Sequence, residues 1–270
     1  MKFRTGDLCV FRVLGKDRVS WLHGQVSTPI KTMATDSHHH SSLNTPKGKT
    51  IALIHIIKQE NDLLLLVPSA LSDVVHQTME MYILSEDVEI VRTADVVSAI
   101  IHAEFKGQST GDLVINAAYF GIPATIYISQ KQPDLKGLFE LEEQEFHYLR
   151  IKHGYPMPEI EYKNQEILTP ELGIPSLIAY DKGCYLGQEV FARIRTYGRT
   201  NKVLACMEFP RSESENLLNQ EIFIGEHSRG TITSIAEHDG HVLALGFVPT
   251  AKKELGAEVI CNQVKGKILS

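Results

Sequence analysis

The chain contains 270 residues, of which 43% are hydrophobic and 22% are charged, proportions that are ordinary for a soluble globular protein. Its formal net charge of −6 argues against general attraction to nucleic acid or to an anionic membrane. No stretch approaches the roughly 20 apolar residues that a membrane-spanning helix needs, and residues 1–10 lack the features of a secretory signal or a transit peptide. We therefore expect a cytoplasmic protein with no membrane partner and no direct nucleic-acid partner.

The spacing of apolar residues predicts strands and helices in mixed order over the first 152 residues. Apolar, partly alternating runs predict strands at residues 7–14, 49–57, 63–67, 88–92, 96–103, 113–118 and 125–129. Helical spacing predicts helices at residues 16–26, 69–82 and 141–152. Residues 28–48 are polar and are predicted to be irregular. Since strands and helices do not alternate strictly, the pattern favours α+β with antiparallel sheets over a doubly wound parallel sheet.

The pattern changes twice further along the chain. Residues 154–176 are rich in Pro and Gly, which predicts either a functional crossing loop or a linker. After residue 200, five short strands without a helix predict a small β-barrel or sandwich, at residues 203–209, 221–224, 230–237, 241–248 and 258–261. We therefore predict two domains, an α+β region over residues 1–200 and a C-terminal β-barrel over residues 201–270.

Neither the four cysteines nor the histidine run predicts a metal site. Cys9, Cys184, Cys206 and Cys261 show no zinc-type spacing and no four-cysteine cluster motif. Cys9 and Cys206 lie in apolar runs and are predicted to be buried small hydrophobes. The consecutive histidines at residues 38–40 would point to alternating faces of a strand, so they are poor convergent ligands.

Cys184 differs from the other cysteines because it lies in the sequence Lys-Gly-Cys-Tyr-Leu-Gly-Gln-Glu, residues 182–189. Gly183 and Gly187 allow positive φ and close backbone approach. Apolar residues at helical spacing follow, so the thiol is predicted at the entrance to a helix, beside cations, where a thiolate is favoured. Glu189 and Arg193 stand in the favourable order for a helical ion pair.

Residues 182–202 carry a local charge of +4, from Glu189 and five cations: Lys182, Arg193, Arg195, Arg199 and Lys202. This segment is either a basic island that contacts an anionic ligand or a glycine-rich helix entry with solvated charges. Composition alone leaves both interpretations open.

The sequence over residues 182–189, followed by Ala192 and Arg193, resembles the signature of the YgfZ family of folate-binding proteins. Mitochondrial relatives of that family assist late iron–sulfur cluster assembly. Further stretches agree in order and spacing along nearly the whole chain: Gly15-Lys16-Asp17-Arg18, Leu22-His23-Gly24-Gln25, Pro46-Lys47-Gly48-Lys49, and Leu149-Arg150 with Gly154 and Pro156. The family is similar in fold to the glycine-cleavage T-protein, an aminomethyltransferase. The resemblance therefore implies ferredoxin-like folate-binding domains, a small C-terminal β-barrel and a central channel for tetrahydrofolate between three lobes.

The resemblance implies a tetrahydrofolate-binding accessory protein that supports iron–sulfur cluster assembly or repair and, indirectly, iron–sulfur-dependent tRNA modification. Iron–sulfur enzymes or assembly proteins would be its partners. Cys184 is the candidate functional thiol. The candidate folate- or anion-binding residues are Arg150, Lys182, Tyr185, Gln188, Glu189 and Arg193.

Each of these candidates has an expected role. Lys182 and Arg193 would hold the ionised thiol or an anionic ligand, and Glu189 would orient Arg193. Tyr185 could stack on a flat ring, and Gln188 could form hydrogen bonds with it. The planar guanidinium of Arg150 suits a folate carboxylate.

Two departures from the transferase pattern bear on catalysis. The transferase carries an aspartate pair where this chain has Ile51 and Ala52, and a glutamate that holds the pterin where it has Lys152. An apolar pair cannot transfer a proton, so one-carbon transfer by the transferase route is disfavoured. The alternatives are nevertheless a folate-dependent aminomethyl or methyl transferase and a binding module that contacts RNA through the basic island.

Overall fold

We describe a computed structural model of the chain, which covers residues 1–101, 113–133, 135–162, 166–198, 200–210, 217–225, 227–238 and 240–270. The strands are β1 (Lys2–Thr5), β2 (Leu8–Leu14), β3 (Ser37–Asn44), β4 (Thr50–Lys58), β5 (Leu63–Pro68), β6 (Glu89–Arg92), β7 (Val96–Ile101), β8 (Leu113–Tyr119), β9 (Ile122–Ser129), β10 (Phe139–Glu140), β11 (Lys202–Pro210), β12 (Glu221–Ile224), β13 (His227–His238), β14 (His241–Pro249), β15 (Glu258–Cys261) and β16 (Val264–Ile268). The helices are α1 (Arg18–Gln25), α2 (Ser72–Glu80), α3 (Glu143–Lys152) and α4 (Gln188–Tyr197). Within these ranges, no helix combines the length and the apolar character needed to cross a membrane.

The strands form two five-stranded sheets and a closed barrel. One sheet has the order β3-β4-β5-β2-β6, and the other has the order β10-β1-β7-β9-β8. The barrel has the order β11-β14-β13-β12-β15-β16. All pairings are antiparallel except the short contact between β1 and β10. The predicted α+β class and the C-terminal barrel are confirmed, whereas the domain boundary near residue 200 and the central channel stay predictions.

β4 and β5, which were both predicted as strands, pair as a hairpin at the centre of the first sheet. Every residue of β5 is buried, and Leu64 and Leu66 stand opposite Ile57 and His55 of β4. β2 pairs with the other edge of β5. Burial on both faces explains why β5 is a continuous apolar run rather than an alternating one, and it gives this sheet a rigid core.

Four strands were missed by the prediction, one of them the two-residue β10. β3 lies in the stretch predicted to be irregular, because its sequence Ser-His-His-His-Ser-Ser-Leu-Asn lacks apolar alternation. β1 and β16 are short strands that contain charged residues, and β16 closes the barrel against β11 and β15. The strand predicted at residues 96–103 is present up to Ile101, and its last two residues lie outside the described ranges.

The segment at residues 154–176 carries short helical turns rather than an extended linker. They lie at Pro158–Tyr162, Thr169–Leu172 and Pro175–Leu177. The backbone N–H of Thr50 donates to the carbonyl of Ile167 at 2.8 Å. This crossing segment is therefore packed against the start of β4, next to the residues that form the candidate site.

Candidate functional site

Three segments that are distant in sequence meet around the turn that carries Cys184. The backbone of Gly187 has φ +85°, and a Cβ at this position would lie 2.9 Å from the Cα of Gly48 and 3.2 Å from the carbonyl oxygen of Thr45. The N–H of Leu186 donates to the carbonyl of Gly24 at 3.2 Å. Only glycine satisfies both the left-handed conformation and the close approach at Gly187. The turn is thus fixed against both the end of α1 and the turn before β4.

The first turns of α4 complete this contact. A Cβ at Gly48, where φ is +74°, would lie 3.0 Å from the ring of Phe191 and 3.2 Å from Val190. Phe191 is fully buried and packs near Tyr185, with ring centroids 6.2 Å apart. The start of α4 is therefore in direct contact with the turn before β4. The stretches around Gly24, Gly48 and Gly187, which all carry the family resemblance, meet at one site.

Cys184 is exposed, whereas Cys206 and Cys261 are buried. Burial raises the pKa of the Cys206 thiol to about 11. Cys9 is only partly buried, so the prediction of a buried side chain was wrong for this residue. Its Sγ lies 3.5 Å from the carbonyl oxygen of Val67, and partial burial raises the pKa of its thiol. Cys184 is thus the exposed thiol of the chain.

Lys182 does not occupy the position expected of a partner for the thiol. Its side chain turns inward, and Nζ donates to the carbonyl oxygens of His23 and Val26, each at 2.5 Å, and of Thr28 at 2.9 Å. Burial and, to a smaller extent, the nearby charge of Lys31 lower the pKa of the amine to about 7. All three donors of an ammonium are engaged, so the predicted contact with a thiolate or an anionic ligand is replaced by an internal one.

Tyr185 and Gln188 also serve the turn itself. Tyr185 is buried beneath Lys182, whose Nζ lies 4.8 Å from the ring centroid. Burial raises the pKa of the Tyr185 hydroxyl to about 12. Oε1 of Gln188 accepts the N–H of Tyr185 at 3.3 Å. Stacking of Tyr185 on a flat ligand ring would require the turn to open, so this role does not fit the structure.

Two of the five cations of the basic island pair with carboxylates. Arg193 and Glu189 form the predicted helical ion pair at 2.6 Å. Arg195 pairs with Asp181 at 3.2 Å and lies over the ring of Tyr180. With Lys182 buried, this surface is not the free cationic patch that the sequence suggested; Arg199 lies outside the described residues.

Arg150 is enclosed at the junction between α3 and the barrel. Its side chain is fully buried, and its guanidinium donates to Oε2 of Glu161 at 3.3 Å, to the carbonyl of Tyr155 at 3.1 Å and to Oγ of Ser234 at 2.7 Å. The predicted contact with a folate carboxylate is therefore corrected, because these internal partners already accept hydrogen bonds from the guanidinium. Arg150 instead connects α3 to β13.

A cavity of about 650 Å³ lies beside the turn before β4. Its walls come from that turn and β4, from α2 and its preceding turn, and from the crossing segment, and its lining residues are Thr45, Pro46, Lys47, Lys49, Thr50, Ile51, Leu71, Val74, Tyr162 and Glu166. Most of the lining is apolar, Lys47 is exposed, and Nζ of Lys49 donates to the carbonyl of Glu166. The prediction missed this cavity, although the Pro-Lys-Gly-Lys stretch was a signal for it.

The two residues at the transferase aspartate positions differ in their surroundings. Ile51 lines the cavity, whereas Ala52 is fully buried. Lys152 is exposed at the end of α3, with its Nζ 6.0 Å from the ring centroid of Tyr148. A second cavity of about 400 Å³ lies between α3 and the barrel and includes His147 and Ser234. Cys184 lines neither cavity.

The histidines of β3 are divided between faces, as the sequence predicted. His40 stacks on His55 of β4, with ring centroids 4.5 Å apart, and Nε2 of His40 lies 3.0 Å from the hydroxyl of Tyr155. Burial lowers the pKa of His40 to about 4 and lowers that of His55 well below its usual value. Both rings are therefore neutral packing elements between the first sheet and Tyr155.

Comparison with solved structures identifies this fold. The chain has the fold of the glycine cleavage system aminomethyltransferase T from Bartonella henselae, with a TM-score of 0.78 at 12% identity, over 100% of this chain and 85% of that one. The chain therefore has a T-protein-like fold. No family model matches the chain.

Sequence relatives identify the group more closely. The chain is 22% identical to the tRNA-modifying protein YgfZ of Vibrio atlanticus, over 85% of this chain and 77% of that protein. It is 24% identical to the protein of the same name from Aliivibrio fischeri strain ES114, over 90% and 83%. It is also 24% identical to "Putative transferase At1g60990, chloroplastic" of Arabidopsis thaliana, over 96% and 67%. The chain is thus similar to YgfZ proteins over most of its length, in agreement with the resemblance of its motifs.

Proposed function

We propose that the protein is a tetrahydrofolate-binding accessory protein that supports the assembly or repair of iron–sulfur clusters. The observation that carries this proposal is the cavity of about 650 Å³ beside the segments that meet at the Cys184 turn. Its volume falls within the range of about 300–1,000 Å³ that small-molecule sites occupy. Support for iron–sulfur-dependent tRNA modification would follow indirectly from the same role.

The residues of the cavity fit the chemistry of a folate. Pro46, Ile51, Val74 and the ring of Tyr162 supply an apolar and aromatic lining for a flat ring system. Lys47 supplies an exposed ammonium at the same cavity, where it can attract the carboxylates of a glutamate tail. We therefore propose that these cavity residues contact the folate, in place of Arg150 and Lys182.

The cavity supports binding better than one-carbon transfer. Ile51 cannot donate or accept a proton, and Ala52 is buried away from the cavity. Cys184 adds an exposed thiol on the neighbouring turn, and a thiol is a suitable ligand for a thiophilic metal or a partner for disulfide exchange. We therefore assign folate to the cavity and contact with an iron–sulfur client protein to the Cys184 turn.

Calorimetric titration with tetrahydrofolate tests the proposal. The wild-type chain should bind, and Val74→Trp should weaken binding at least tenfold because the indole fills the cavity. The matched control is Val114→Trp on β8, since Val114 is 43% exposed and Val74 is 42% exposed. Absence of binding by the wild type at millimolar ligand, or equal loss in both variants, would remove the cavity as a folate site.

A folate-dependent transferase is the second candidate, because Glu166 is an acidic residue among those that line the cavity. A carboxylate can act as a general base where Ile51 cannot. A turnover assay with the aminomethyl or methyl form of the folate separates the two functions. Turnover that Glu166→Gln abolishes without weakening folate binding would establish the transferase, and no turnover by a folate-binding wild type would exclude it.

A further inference from the structure

The amine of Lys182 lies inside a cage built mainly from main-chain oxygens. The carbonyls of His23, Val26 and Thr28 lie 2.5, 2.5 and 2.9 Å from Nζ, and the residue is only 6% exposed. An ammonium group has three N–H donors and no acceptor, so three carbonyls match it completely. The ring of Tyr185 covers another side, 4.8 Å from Nζ, at a distance suited to a cation–π contact.

The position of the cage explains how the charged amine is stabilised, although burial lowers its pKa. α1 ends at Gln25, and the last carbonyls of a helix are unsatisfied and carry a partial negative charge. Within the described ranges, no carboxylate lies within ion-pair distance of Lys182. The positive charge is therefore balanced by carbonyl dipoles and an aromatic face, in the manner of a site for a monovalent cation.

Two backbone hydrogen bonds join the same two segments, and Lys182 lies between them in sequence. On one side, the N–H of Ala179 donates to the carbonyl of Ser27 at 3.0 Å; on the other, the N–H of Leu186 donates to the carbonyl of Gly24 at 3.2 Å. Lys182 lies between Ala179 and Leu186, and Cys184 lies between Lys182 and Leu186. The bonds of Lys182 thus anchor the part of the turn that presents the exposed thiol.

We propose that Lys182 is a positioning residue whose ammonium is a tethered cation, and that its carbonyl cage fixes the Cys184 turn to the end of α1. This inference does not depend on folate binding or on any iron–sulfur client. Truncation of Lys182 leaves three carbonyls without their donor and vacates a space with the ligand set of a small cation. A free ammonium ion should then restore what the side chain supplied.

Amide hydrogen exchange in Lys182→Ala tests this proposal. Exchange of the Leu186 and Ala179 amides should accelerate about tenfold or more, while the amides of the β4–β5 hairpin keep their wild-type rates. Added ammonium or methylammonium should restore protection, and tetramethylammonium at equal ionic strength should not, because it has no N–H donor. If the variant lost only side-chain volume, exchange of these amides would be the same with ammonium as with tetramethylammonium.

Two further variants are the controls. Lys31→Ala removes an exposed charge near Lys182 without touching the cage, and it should leave exchange of both amides unchanged. Lys182→Met places an apolar chain in the cage, so exchange should rise without rescue by ammonium. Wild-type exchange in Lys182→Ala, the same increase in Lys31→Ala, or equal rescue by tetramethylammonium would each overturn the proposal.

If Lys182→Ala does not fold, the wild-type chain provides the test. Acetic anhydride should acetylate the exposed Lys31 readily and should reach Lys182 only on unfolding, as peptide mass spectrometry can show. Protection of Lys182 supports a closed cage. Acetylation of Lys182 in the folded protein at a rate close to that of Lys31 would show that the amine is not held, and the proposal would fail.

Discussion

The guanidinium of Arg150 and the carboxylate of Glu161 form an ion pair at 3.3 Å, and both side chains are fully excluded from solvent. Oε1 of Glu161 also accepts the hydroxyls of Thr233 and Ser234 on β13. One buried carboxylate therefore bridges the crossing segment, α3 and the barrel. Because the network satisfies the charges it buries, its role is to hold the barrel in place against the α+β region.

Arg150→Met should destabilise the protein strongly. The substitution leaves Glu161 buried without its cation, and loss of one partner of a buried pair costs about 3–5 kcal/mol. Urea denaturation would measure this change in the free energy of unfolding. The matched control is Arg193→Met, whose exposed pair with Glu189 should be worth about 1 kcal/mol or less. Similar losses in the two variants would contradict the assignment of Arg150 to the junction.

Gly187→Ala should disturb the turn far more than Gly183→Ala. At Gly187 a methyl group would stand 2.9 Å from Cα of Gly48, in a backbone with φ +85°, which costs about 1–2 kcal/mol before any clash. At Gly183 nothing lies within 4 Å of the added carbon. Urea midpoints of the two variants would check the difference. Equal midpoints would mean that the contact between the two turns carries no energy.

Much of the fold could be predicted because it rests on local patterns. The β4–β5 hairpin and most barrel strands are apolar runs bounded by turn residues, and residues 182–189 carried the family resemblance. β3 could not be predicted in this way, since its polar residues are held by partners remote in sequence. The N–H and the hydroxyl of Ser42, for example, both donate to Oγ of Ser27.

The cations near Cys184 show where local interpretation of the site fails. A lysine two residues from a cysteine suggests an electrostatic partner for the thiol. The acceptors of Lys182 are instead carbonyls 154–159 positions away, and main-chain oxygens have no signature in a sequence. Arg150 likewise finds Glu161 only because the intervening residues fold back on α3. Residue type predicted the chemistry of these groups, whereas packing decided what they contact.

The stacked pair of His40 and His55 should make stability depend on pH below about 6.5. Burial lowers the pKa of His40 to about 4 and lowers that of His55 well below its usual value, so the unfolded chain takes up these protons first as the pH falls. The stabilisation is fully present above the ordinary histidine pKa and is lost as the pH falls toward 4. Urea denaturation across this window should show the decline.

His55→Phe isolates the contribution of the pair to that decline. The phenyl ring preserves the stack on His40 but cannot take up a proton, so the slope of unfolding free energy against pH should be smaller than in the wild type. His39→Phe, on the other face of β3, is the control and should keep the wild-type slope. A wild-type slope in His55→Phe would show that other groups cause the acid sensitivity.

Cys184→Ser should abolish support of iron–sulfur enzymes while leaving the fold intact. The side chain is exposed, so replacement of sulfur by oxygen should change the free energy of unfolding by less than about 0.5 kcal/mol. The measurement is the activity of an iron–sulfur enzyme in cells that depend on this protein, together with a urea midpoint for the variant. Cys9→Ser, which alters a partly buried thiol remote in sequence, should retain that support.

If Cys184→Ser supports the enzyme as well as the wild type does, the thiol has no part in the mechanism. If Cys9→Ser fails equally, the loss reflects general sensitivity to cysteine replacement rather than chemistry at this turn.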